Sequence, residues 1–110
     1  FGVLTGKHLS SKKPSQSRLT LWEKDFSRYR KENSEAATRA YVELANSYQI
    51  NPSQMALAFV NSRPFVTSVI IGATTMAQLR SNITGVNTTL FNEVQEGIEL
   101  IHKQFPNPCP

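Results

Sequence analysis

Val66-Thr-Ser-Val-Ile-Ile-Gly-Ala-Thr-Thr-Met-Ala-Gln-Leu-Arg-Ser-Asn82 is the stretch on which the fold turns. Val66 to Ile71 is short and largely β-branched, the composition of a buried strand. At Gly72 the pattern breaks. A glycine there allows a tight turn and close approach of a ligand to the backbone. Thr74 or Thr75 is placed to cap a following helix, on which Met76, Leu79 and Ile83 recur at helical spacing. Gln78, Ser81 and Asn82 fall together on a neighbouring polar face, and Arg80 points elsewhere. Strand, glycine-containing turn and helix N-terminus together offer free backbone N–H groups and partial positive charge to an anion. Many such turns bind nothing. The polar face adds to the case, because Gln and Asn side chains both donate and accept, as a purine edge requires.

Ile71-Gly-Ala-Thr-Thr-Met-Ala-Gln-Leu-Arg-Ser-Asn82 resembles the last barrel strand and following helix of the aldo-keto reductases. Gln54-Met-Ala-Leu-Ala-Phe-Val60, Pro64-Phe-Val66 and Gly72-Ala-Thr-Thr-Met76 are most similar to the Tas-like branch of that family. With Gly2-Val-Leu-Thr-Gly-Lys7, the resemblance spans nearly the whole chain. It implies an α/β fold, the C-terminal part of a (β/α)8 TIM barrel, in which this chain supplies mostly helices plus the last barrel strand. The expected organisation is a cofactor loop and basic segment over 1–32, helices and the final strand over 33–105, and a tail over 106–110.

Length agrees with a part rather than a whole. The chain has 110 residues and starts at Phe1, whereas a (β/α)8 barrel takes about 250. It reads as a piece of a longer polypeptide whose N-terminal part would complete the barrel, with self-association possible for the piece alone. No stretch looks like a membrane span or a secretory signal. The resemblance implies a cytoplasmic location, and the glycosylation-like triplets at Asn82 and Asn87 read as chance matches. The single cysteine, Cys109, has no partner for an internal disulfide, and neither His8 nor His102 has metal-ligand company.

The net charge of +4 is unevenly placed, with eight Lys and Arg against three acids in residues 1–32. A basic segment near an anion-binding turn would draw in a phosphate-bearing ligand. It also reads as a solvated loop, the preferred account of Lys12 and Lys13. Residues 1–19 lack periodicity and should form a loop. Gly6-Lys7 is not a phosphate-binding Walker loop, since its spacing and its Ser or Thr are missing. Leu21 to Tyr29 reads as a short helix whose aromatics pack on the barrel. Stacking of those aromatics on single-stranded nucleic acid is the alternative.

Asn33 is a candidate cap for a helix to about Gln49. Asn51-Pro52 starts another, running to about Ser62, apolar nearly all round and therefore buried. It offers Gln54 and little else to reach a base edge, so a DNA-reading helix pair is disfavoured. A C-terminal amphipathic helix spans roughly Phe91 to Gln104, with Gly97 a slight weakness. Pro106, Pro108 and Pro110 then end it.

The family reduces aldehydes and ketones by hydride transfer from a nicotinamide cofactor. Its proton-donating Tyr and the supporting Lys, His and Asp come from earlier barrel strands, and their motifs are not in this chain. The resemblance carries over no catalytic or metal-binding residue. It does carry over the adenosine-phosphate half of the cofactor site: Gly72, Thr74, Gln78, Ser81 and Asn82, with Lys7 and Arg18 along the pyrophosphate. Arg gives a phosphate two parallel hydrogen bonds. Thr74, the helix N-terminus and Gln78 would take a 2′-phosphate and Asn82 an adenine edge. Relatives often have Lys or Arg near positions 72 and 78 and Glu at 81. The neutral Gly72 and Gln78 and the shorter Ser81 leave NADP(H) expected without excluding NAD(H). The expected partners are this cofactor and a small carbonyl substrate, with no nucleic acid and no membrane. A cofactor-sensing or docking module like the channel β-subunits shares the pattern and is the main alternative, ahead of a basic nucleic-acid-binding domain.

Overall fold

The structure is a computed structural model and describes residues 2–11, 14–22 and 24–110. Lys12 and Lys13 lie outside the described residues. Among the described residues there are five helices: α1 (Arg18–Leu21), α2 (Glu32–Ser47), α3 (Pro52–Asn61), α4 (Met76–Val86) and α5 (Asn92–Gln104), with 3-10 turns at Val3–Thr5 and Ser27–Arg30.

The core lies where α2, α3 and α5 meet. Ala45, Met55, Ala58, Leu90, Val94 and Ile98 are buried together, flanked by Tyr41, Leu44, Ile50 and Phe59. Full burial of a Val or Ile side chain contributes roughly 1.5–3 kcal/mol, so Val94 and Ile98 anchor α5. Gly97 has a packing role that propensity alone does not reveal. A Cβ there would lie 2.8 Å from Leu44 Cδ1, so its absence lets α5 close on α2. Past the end of α3, the Arg63 guanidinium lies 4.2 Å from the centre of the Phe59 ring. It also donates to Gln95 Oε1 at 3.2 Å, which ties this end of α3 to α5.

Local chemistry sets the helix starts. Asn51 Oδ1 accepts from the Ser53 and Gln54 N–H groups at 2.9 and 3.3 Å, and Pro52 occupies the first helical position, where no N–H is needed. The expected Asn33 cap is not used. Helix α2 begins at Glu32, and its N-cap, Lys31, makes no side-chain cap bond. Ser34 instead donates its hydroxyl to the Tyr29 carbonyl at 3.0 Å, and Cys109 Sγ donates to Ser34 Oγ at 3.3 Å, bringing the tail back onto the start of α2. The helix expected over Leu21 to Tyr29 is not found as such: α1 ends at Leu21, Glu23 lies outside the described residues, and the second 3-10 turn begins at Ser27. Trp22 is exposed, while Phe26 and Tyr29 are half-buried and in ring contact.

The expected strand is not formed. Residues 66–71 run without a ladder partner, and no strand is present among the described residues. A strand is a paired structure, and the chain folds its other elements as helices, so this β-branched run has nothing to pair with. Its exposure is uneven: Ile70 is 96% exposed and Phe65, just before the run, 82%, while Val66 and Val69 are half-buried. With Leu57, Ile83 and Val86, Val69 and Ile71 line an open apolar groove between α3 and α4.

Candidate functional site

The turn before α4 is built by its own side chains. Thr75 is the cap, its hydroxyl oxygen accepting from the Gln78 N–H at 3.2 Å. Thr74 stands one residue earlier, and both its donors go to one acceptor. Its N–H and its hydroxyl reach Gln78 Oε1 at 2.8 and 3.0 Å. This is a capping-box exchange displaced by one residue. It uses both lone-pair directions of the Gln78 carbonyl and leaves the Gln78 amide N–H groups for a ligand. The first turn of α4 holds no acidic residue, so the positive end of its dipole is not neutralised from within.

Gly72 lies open. A Cβ at this position would meet nothing within 4 Å, so the backbone is free to approach a ligand. The turn does not use a left-handed glycine, however; the glycines with positive φ are Gly2 and Gly6. Asn82 reaches back from α4, its Nδ2 donating to the Gly72 carbonyl at 3.5 Å. Ser81 sits on the side of α4 that packs on α3. Gln54 Nε2 donates to the Ser81 carbonyl at 3.1 Å and meets its hydroxyl oxygen at 3.4 Å. The apolar stripe on α4 is only partly covered, since Met76 and Ile83 are 63% and 56% exposed and Leu79 is half-buried. The helix docks through Ser81 and the buried Gly85, where a Cβ would come 3.2 Å from Gln54 Cα.

Gly72, Thr74, Gln78, Ser81 and Asn82 thus share one turn and one helix. Lys7 and Arg18 stand elsewhere. Lys7 follows the 3-10 turn at Val3–Thr5, which packs on α2 and α3, and its backbone N–H donates to Thr5 Oγ1 at 3.2 Å. Arg18 opens α1. Gln54 was not among the expected site residues. Its signal in the sequence is that of an amide directly before the apolar run Met55-Ala-Leu-Ala-Phe-Val60 of α3.

The arrangement combines an acid-free helix N-terminus, an approachable glycine, and amide and hydroxyl groups along the adjoining helix face. No group of three or more His, Cys, Asp or Glu among the described residues could hold a metal ion. The sequence pattern described as the Aldo/keto reductase family matches residues 1–102, and the chain belongs to that family. It is 44% identical over all 110 residues to Protein tas of Escherichia coli (strain K12), and equally to Protein tas of Shigella flexneri. It is 42% identical over 84 residues, 74% of the chain, to an Aldo-keto reductase of Babesia bovis. The chain spans only 32% of each Tas protein and 30% of the Babesia protein.

Proposed function

We propose that this chain is the C-terminal, cofactor-binding part of an NADP(H)-dependent oxidoreductase that reduces aldehydes or ketones. The family's (β/α)8 barrel supplies the frame. The observation that carries the reading is the convergence of the Thr74 N–H and hydroxyl on a single oxygen at the acid-free N-terminus of α4. In this chain that oxygen belongs to Gln78. A phosphate oxygen is charged and accepts about twice as strongly as a neutral amide carbonyl. In this reading the 2′-phosphate of NADP(H) takes over the Thr74 donors, Gln78 turns its amide N–H groups toward the phosphate, and the helix dipole favours the added charge.

Asn82 addresses the adenine, while Lys7 and Arg18 hold the pyrophosphate through charge and parallel hydrogen bonds. The bound nicotinamide supplies the hydride. The proton donor and its partners belong to an N-terminal part of the barrel, so the activity is that of the whole protein, and a cytoplasmic location goes with the same reading. No helix among the described residues is long and apolar enough to cross a membrane.

The test is titration of full-length protein with NADPH and NADH at fixed ionic strength, followed by assay with small aldehydes and ketones. NADPH should bind, with the adenosine half alone competing for the site. Absence of binding by either nicotinamide cofactor would end this reading.

A further inference from the structure

Gln54 connects the candidate site to the helix that carries it. It lies on α3, 27 residues from Ser81, and its amide group makes the tie described above. The Ser81 carbonyl can only accept, so the amide edge facing it must be the NH2 edge. That fixes the chemistry at the neighbouring hydroxyl as well. With an N–H directed at Ser81 Oγ, this oxygen acts as acceptor and its own proton is left to point away from Gln54. Among the described residues, no protein acceptor takes that proton.

We propose that Gln54 is a positioning residue for the adenine side of the cofactor site. It holds the Ser81 turn of α4 at its distance from α3 and sets the Ser81 hydroxyl as a donor toward a ring nitrogen of the bound purine. The inference rests on the cofactor reading above and deepens it. Two features of the packing support it. Gly85, one turn beyond Ser81, lies directly against the Gln54 backbone, so the tie and the close helix crossing are parts of one contact. Asn82, next to Ser81, also bonds back to the Gly72 carbonyl. A shift of the Ser81 turn would therefore reach the turn that holds the phosphate end.

A double-mutant cycle in full-length protein tests the coupling. Gln54→Leu, Ser81→Ala and the double variant are titrated with NADPH, with adenosine 2′,5′-bisphosphate and with reduced nicotinamide mononucleotide, and their melting temperatures are recorded. Wild-type binding of NADPH checks the cofactor reading by itself, and its absence removes both proposals together.

Given that binding, Gln54→Leu should weaken NADPH and the bisphosphate by about twofold to tenfold, the worth of one ordinary hydrogen bond. The mononucleotide should move by less than about twofold. In the Ser81→Ala background the same substitution should cost little further affinity while still lowering the melting temperature. Gln54→Met, which keeps length and removes the donor, should behave as the Leu variant does if the latter folds poorly. Equal affinity losses in both backgrounds would show Gln54 to be a structural residue only. No loss in the wild-type background would also overturn the proposal.

Discussion

In the proposed site, Gln78 would act both on the turn itself and on a bound phosphate. Its carbonyl gathers the two Thr74 donors, so replacing it has two opposed effects on a phosphate ligand. Gln78→Ala removes a supporting donor and also a competing acceptor, and its effect on NADPH should stay within about threefold. Thr74→Ala removes a donor to a charged group, for which about 1.5–3 kcal/mol is usual, or roughly tenfold to a hundredfold in affinity. That loss should fall on NADPH and hardly on NADH. Gln78→Arg should tighten NADPH selectively, because a guanidinium pairs with phosphate. Lys7→Ala should weaken both cofactors, which share the pyrophosphate. Arg80 is exposed and lies off the polar face, so Arg80→Ala is the silent control. Equal losses for NADH and NADPH at Thr74 would remove the 2′-phosphate assignment.

Tyr41 offers a separate pH signature at the same scale. Burial, and secondly the negative charge of Glu99, push its phenol above the ordinary 10.0. The folded state then holds its proton more tightly than the unfolded state. The resulting stability is fully present below about pH 10 and is lost as pH rises toward the higher folded value. Tyr41→Phe should flatten this alkaline decline in denaturant midpoints. An unchanged slope would show that Tyr41 does not contribute to it.

At the scale of elements, the sequence is most readable where a residue acts on its neighbours. Asn51-Pro52 announces α3 because the cap and the fixed φ of proline are local devices. The heptad-like recurrence of Val94, Ile98 and Ile101 announces α5 because a single face meets the core. What pairs elements across space is less visible. The β-branched run at 66–71 suits a strand, but a strand exists only with a partner, which the described residues do not include. Likewise Met76 and Ile83 have helical spacing, yet α4 docks on α3 by a glycine and an amide, which no apolar pattern marks.

These contacts give two element-scale expectations. Asn51→Ala should cost about 1 kcal/mol, read as a shift in denaturant midpoint. Gly85→Ala gains helix propensity of roughly 1 kcal/mol but drives a methyl toward Gln54 Cα, Cβ and Cγ at 3.2 to 3.4 Å. Because one of these atoms is backbone, the strain should win, with a net loss of about 1–2 kcal/mol. A stabilised Gly85→Ala variant would mean that α3 and α4 are not held this closely.

Over the whole molecule, the outward face of residues 65–71 and α4 contrasts with the enclosed core of α2, α3 and α5. Phe65, Ile70, Met76 and Ile83 are each more than half exposed, and Ile83 also borders the open apolar groove lined by Leu57, Val69, Ile71 and Val86, the kind of apolar surface that marks a place for a partner. In the proposed barrel, the run at 66–71 is the last strand, paired on both edges, with its side chains divided between the barrel interior and the helices outside. The isolated 110-residue chain should therefore self-associate with rising concentration, observed as a drift in weight-average mass by sedimentation.

Ile70, at 96% exposure, separates the two contexts. Ile70→Lys should reduce association of the isolated chain, because a charge on an exposed, unpaired edge opposes intermolecular pairing. The same substitution in full-length protein should destabilise by about 3 kcal/mol or more, since a closed barrel would bury an unpaired ammonium. One residue would then make the part more soluble and the whole less stable. If Ile70→Lys leaves full-length stability unchanged, Ile70 is not enclosed by the barrel, and the last-strand assignment of residues 66–71 falls with it.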